Sequence, residues 1–393
     1  MKQFMVRRQL VINLLLKFEL KKVLKQKVVY VILFILIAAT SMFYAIHNNQ
    51  YHMLERGLAE EQVLNNTEVQ RVIDETKLDI ETEKDRQNLA SEEKLLQLGV
   101  ERVAALNAND SKTALQLEML MEEHRIEEIT SGRQDRSPDF QELETDLALK
   151  KEIAKKGYEY NSTMFSVWGP DFSVNMMRYM FPFFLPFCFI LVITGVLGSD
   201  IETGKWRFLT TLPLKKSRIM GAKKFVAYGI GFVFIALLFL LSFFIAGTVN
   251  GYSYSDYPVL VKDVTGYHFI TITKQLLQVI LLVSAAMYFI VNLTTVLLLL
   301  FKNTVITMIV ELVLLIITQQ LTQRFEAVEA TWLAFNPFIY FNIVDITEGN
   351  IVDHFKSAYF TTGTGILVLL ASSIICLIIS RFLVNSERLV LKA

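Results

Sequence analysis

Long apolar runs alternate with polar intervals along the chain. A helix needs about 20 mostly apolar residues to cross a hydrocarbon core, because every backbone polar group must be satisfied within the segment. Six runs approach this length: 28–46, 179–198, 224–248, 276–300, 303–322 and 364–384. The pattern predicts an all-α membrane protein with six transmembrane helices. The first run begins well inside the chain and has no small-residue cleavage site after it, so it reads as a span rather than a signal peptide.

The polar intervals carry patterns of their own. Within residues 1–27, Val6, Leu10, Leu14 and Phe18 recur at four-residue spacing, with Lys17, Lys21 and Lys25 on another face. That spacing predicts a basic amphipathic helix lying in the cytoplasmic interface. Residues 47–178 are rich in good helix formers, with breaks at "LNANDSKT" (106–113) and "TSGRQDRSPDF" (130–140). Asp110 or Ser111 is suited to cap the helix after the first break. Two arms, 52–106 and 112–157, predict an extracellular helical hairpin. Its apolar seam is thin: Leu89, Leu96, Val100 and Val103 on one arm; Leu115, Met119, Ile126 and Ile129 on the other. The 249–275 interval reads as an outer loop. The 323–363 interval contains "WLAFNPFIYFNIVDI", centred on Asn336 and Pro337, too interrupted to span and read as a re-entrant segment.

Charge fixes the expected orientation. The net formal charge is zero, which gives no global attraction to nucleic acid, and no nucleic-acid partner is expected. The total hides a segregation. Residues 1–27 hold eight Lys or Arg against the single acid Glu19, whereas 47–178 hold 27 acids against 16 bases. Bases also cluster in 199–223, at Lys302 in the short turn before span five, and in the 385–393 tail. Basic short loops stay inside. This places both termini in the cytoplasm of a multi-pass protein of the cell membrane, with 47–178, 249–275 and 323–363 outside.

Little in the chain suggests chemistry. Cys188 and Cys376 stand alone in apolar runs, and the five histidines (47, 52, 124, 268 and 354) lack metal-ligand spacing. The stretch "GSDIETGKWRF" (198–208) brings Gly198, Gly204 and Lys205 near the order of a phosphate loop. The glycines are one residue too far apart, and Trp206 stands where a hydroxyl for magnesium is required. No catalytic residue, metal or cofactor is expected in this chain, which is not read as an enzyme. "NNT" (65–67) and "NST" (161–163) match glycosylation acceptors, a pattern frequent by chance. Glu311, inside span five, is the one acid deep in an apolar run. An intramembrane carboxylate is a functional candidate.

The order of these parts resembles the ABC-2 type of ABC transporter permease. The residues that carry the likeness follow span two: Glu202 and Gly204, then Leu209 and Pro213, then Arg218 and Lys223 entering span three. The re-entrant "WLAFNPF" before span six adds to it. The resemblance covers the membrane part and implies that 199–223 contains a short cytoplasmic coupling helix docking on a separate ATPase. Trp206, Phe208 and Leu209 supply an apolar face, and Thr203 with Thr210 or Thr211 supplies caps. It further implies partner ATPase subunits holding ATP and magnesium, and a second permease chain, identical or paralogous. Amphipathic peptide, lipid-like molecule or drug is the expected cargo, with an extracellular peptide or protein a further partner. The large 47–178 insertion departs from the family's compact members. A second expectation is a non-transporting signalling or scaffold protein whose outer hairpin is controlled by a partner ATPase.

Overall fold

The computed structural model describes residues 14–78, 82–133, 140–161, 165–211, 215–324 and 331–385. A short helix α1 (14–23) turns at residues 24–26 into α2 (Lys27–Leu78), one uninterrupted helix of 52 residues. At 1.5 Å per residue it is about 78 Å long. The apolar first run and the polar arm that follows it are therefore one rigid rod. α3 (Glu83–Asn107) folds back along it, followed by α4 (Ser111–Thr130) and α5 (Phe140–Lys156).

This corrects the expected two-armed hairpin: the first arm is itself folded in two. The turn rests on a capping box, in which Thr82 accepts from Asp85 N while Asp85 accepts from Thr82 N. Asp110, one of the two expected caps, begins α4, accepting from Thr113 N at 3.1 Å. The apolar seam also differs from expectation. Val100 is exposed; of the expected positions Leu115 is buried and Met119 packs against the core, and Ile73, Leu95, Leu117 and Met121 are buried beside them. Polar groups join the helices as much as apolar ones do. Arg102 donates to Gln62 on α2 and Glu118 on α4, and buried Lys150 on α5 pairs with Glu118, Glu122 and Asp146. Burial pushes Glu122 above the ordinary carboxylate range, and Lys150 pulls it back only in part.

α6 (Gly169–Met180) returns the chain to the bundle. A turn at 181–183 separates it from α7 (Phe184–Glu202), so the second apolar helix starts later than the sequence suggests. Pro182 explains the interruption, since it lacks a backbone donor. After the seven-residue α8 (Lys205–Thr211) comes α9 (Lys216–Asn250). The expected outer loop 249–275 contains an antiparallel pair, β1 (Pro258–Asp263) and β2 (Gly266–Thr271), joined through Val264 and Thr265. The fold is therefore mostly, not wholly, helical. α10 (Ile272–Phe301) runs through the middle of the bundle, against α7, α9, α11 (Thr304–Arg324) and α14 (Thr362–Asn385). Between α11 and α14 lie two 3-10 helices, Thr331–Phe335 and Pro337–Phe341, then α12 (Ile343–Thr347) and α13 (Asn350–Phe355).

Five of the described helices are long and apolar enough to cross a membrane: α2, α7, α9, α10 and α14. α11 is apolar over Thr304–Gln320, 17 residues, shorter than the 303–322 span expected. The chain is thus a multi-pass helical membrane protein.

The polar helices are docked on the rest of the fold rather than free. Lys156 pairs with Asp256, the Tyr158 hydroxyl donates to Asp256 at 2.6 Å, and the Tyr158 and Tyr254 rings stack 3.9 Å apart. Asn161 of the second glycosylation match is buried and donates to Ser166, which is incompatible with a glycan at that side chain.

Candidate functional site

One end of the bundle gathers α1, the end of α7, α8, the start of α9 and the α10–α11 turn. On α1 the expected stripe divides: Leu14 and Phe18 are exposed, while Leu15, Glu19 and Val23, one position on, are buried against the bundle. Val6 and Leu10 lie outside the described residues. Glu19 meets Lys223 of α9 at 2.9 Å, and Lys223 also pairs with Asp200 of α7. Asp200 takes a second ammonium from Lys22. Two carboxylates and two ammonium groups thus form a charge-balanced knot joining α1, α7 and α9, with Glu19 and Lys223 fully buried. From the sequence alone, Glu19 is only one acid in a basic flank and Lys223 a basic position entering span three, and Asp200 is not singled out. Complementary charge at the ends of three apolar runs was the available signal.

Glu202, the last residue of α7, reaches across to α11. Its carboxylate accepts from Thr304 Oγ1 at 2.7 Å and from Thr304 N at 3.2 Å, so it caps the start of that helix. Thr203 does not cap α8 as expected. It ends α7, its hydroxyl donating back to Ser199 O at 2.6 Å. Thr211 likewise turns inward on its own helix, donating to Phe208 O. Gly204 takes φ +71°, a left-handed turn that redirects the chain into α8.

The apolar face of α8 is not a single docking face. Trp206 and Leu209 are buried in the protein's own core, whereas Phe208 is 71% exposed. Arg218 is half-buried in the first turn of α9, its N–H donating to Lys215 O. Pro213 lies outside the described residues.

The remaining candidates lie on α11 and in the segment that follows it. Asn336 separates the two 3-10 helices, its side chain accepting from Phe338 N at 3.0 Å and donating to Thr318 of α11 at 3.4 Å. Pro337 opens the second of them. Phe338 and Phe341 from this segment, with Pro186, Ile190 and Ile290, line a cavity of about 10 Å³ that contains Glu311. Glu311 is buried, with the Thr294 side chain of α10 against its carboxylate. The Thr294 hydroxyl donates to Ile290 O at 2.8 Å. The sequence placed Glu311 and the 332–346 segment in separate elements; the fold brings Glu311 and that segment's Phe338 and Phe341 to one cavity.

Among the described residues no group of His, Cys, Asp and Glu is arranged to hold a metal ion. No known protein family, curated protein or solved structure matches this chain.

Proposed function

We propose that the chain is the permease subunit of an ATP-driven exporter resembling the ABC-2 type. It has six spans, both termini in the cytoplasm and 47–178 outside. It works as a pair of permease chains with two ATPase subunits that hold ATP and magnesium, and it moves an amphipathic peptide, lipid-like molecule or drug outward. One observation carries the reading: α8 is gripped by the bundle through Trp206 and Leu209 while Phe208 faces away from it. An element held this way transmits force from a partner seated on Phe208 directly to α7 and α9. The links through Glu202 and Asp200 extend that path to α11 and α1.

The buried and exposed faces give separable variants. Phe208→Asp is expected to leave the purified chain folded and to abolish copurification of the ATPase, since it places a charge in an apolar contact. Leu209→Asp is expected to damage the chain itself. Wild-type ATPase recovery with Phe208→Asp removes α8 from the interface.

The orientation has its own test. In a background lacking Cys188 and Cys376, cysteine at exposed Ser111 is expected to react with an impermeant maleimide in intact cells. Cysteine at exposed Lys205 is expected to react only after lysis. The reverse pattern inverts the protein in the membrane.

A further inference from the structure

A cleft of about 530 Å³ separates α5 from the β-hairpin and the start of α13. This lies within the range of ligand sites, about 300–1,000 Å³. One wall is α5, presenting Glu142, Leu143, Asp146 and Leu149. The other is the outer edge of β1 at Leu260, with Glu348 beyond it.

The strand edge is legible from its hydrogen bonds. In an antiparallel pair, successive residues point their N–H and C=O alternately toward and away from the neighbouring strand. Tyr257 O accepts from Ile272 N, which fixes the odd-numbered positions toward β2. Lys262 N donates outward to Glu348 O at 2.8 Å. By alternation Leu260 also faces outward, into the cleft. Glu348 covers the edge at Lys262, and Pro258 has no N–H to offer, so among the described residues Leu260 presents both an unpaired donor and an unpaired acceptor on this edge.

The charges facing the cleft are unequal. Asp146 is bridged to Lys150 at 2.7 Å and Glu348 to Arg178 at 2.5 Å. Lys262 pairs with Asp353 at 3.6 Å. Glu142 is exposed and has no ion pair among the described residues. The site thus combines an open backbone pair, apolar walls from Leu143 and Leu149, and one carboxylate without a counter-ion.

We propose that this cleft binds an extended cationic peptide, which pairs its backbone with Leu260 as an added strand and sets a Lys or Arg side chain against Glu142. Strand addition supplies affinity through the main chain and selectivity through alternate side chains. A strand places its side chains alternately on opposite faces, which fits a peptide of alternating basic and apolar residues. The proposal deepens the exporter reading by naming a cargo class, and it rests on that reading for the peptide's fate but not for its binding.

The experiment uses the full chain in phosphatidylcholine nanodiscs, which removes anionic lipid as a competing surface. The probe is a fluorescein-labelled octapeptide of alternating Lys and Val. Glu142→Lys is expected to weaken binding at least about tenfold, the scale of a single well-formed contact. Glu60→Lys makes the same change in net charge at an exposed position of α2 and is expected to leave binding within about twofold. The same peptide N-methylated on alternate residues keeps its charge but loses donors, and is expected to bind at least about tenfold more weakly. Equal weakening by Glu142→Lys and Glu60→Lys reduces the effect to the general negative field and overturns the site. Unchanged binding of the methylated peptide overturns strand pairing. Peptide binding by a wild-type chain that recovers no ATPase from cells defeats the exporter reading and leaves the binding site standing.

Discussion

Lys223→Met is expected to leave little stably folded chain. Lys223 is fully buried between Glu19 and Asp200, so its loss strands two carboxylates with only Lys22 to share. Removing one partner of a buried ion pair costs about 3–5 kcal/mol, because the remaining charge is uncompensated and cannot regain water. Asp200→Asn is expected to cost less, since one charge of each sign remains balanced between Glu19 and Lys223. Lys22→Ala is expected to cost least, because Lys22 is 23% exposed and its site can be reached by water. The triple replacement Glu19→Gln, Asp200→Asn, Lys223→Met is expected to recover much of the loss, as no fully buried charge is then stranded and Lys22, partly exposed, can turn to water. Thermal unfolding of the detergent-purified chain, followed by size-exclusion profile, measures the order. Equal midpoints for Lys223→Met and wild type would show that the knot does not support the bundle.

Gly349→Ala is the second large effect expected. Gly349 sits between α12 and α13 at φ +74°, and a Cβ there would lie 1.9 Å from Lys262 O. That neighbour is backbone of β1, held by its own hydrogen bond from Lys262 N to Glu348 O. It cannot swing aside as a side chain could. The left-handed backbone alone costs an L-residue about 1–2 kcal/mol, and the clash adds to it. Gly204→Ala is the matched control: its φ is +71°, but nothing lies within 4 Å of the added carbon. The expected outcome is a much lower unfolding midpoint for Gly349→Ala, with weakened docking of α13 on β1, and a small shift for Gly204→Ala. Similar shifts in the two variants would mean that backbone conformation, and not close approach, sets the cost.

These variants mark where reading along the chain stops being informative. Hydropathy measures whether a segment can lose water, a property of the segment itself. The apolar runs now seen as α2, α7, α9, α10 and α14 were therefore legible, as was the cap at Asp110, which depends on residues three apart. The fold-back at Thr82 was also local, yet a helix-rich composition on both sides concealed it. The β-hairpin was missed for a related reason: "PVLVKDVTGYHFIT" carries β-branched alternation and a Thr-Gly turn, but its length is too short to stand out beside long apolar runs.

Only the tertiary structure decided which side of each helix meets protein. Trp206, Phe208 and Leu209 look equivalent as apolar residues, but a seven-residue helix turns Phe208 away from the core that takes the other two. Glu19 reads as one acid in a basic flank until Lys223, 204 positions later, is set against it. Asp200 and Glu202 follow the same logic, for Coulomb energy and hydrogen bonding depend on distance in space and not on separation along the chain. The sequence by itself determined that this protein crosses a membrane several times and carries a long charged helical segment, because burial in lipid and solvation in water are written residue by residue. The ion knot, the cavity at Glu311 and the cleft beside Leu260 came from packing, because each requires elements that the chain keeps far apart and the fold places within a few ångströms.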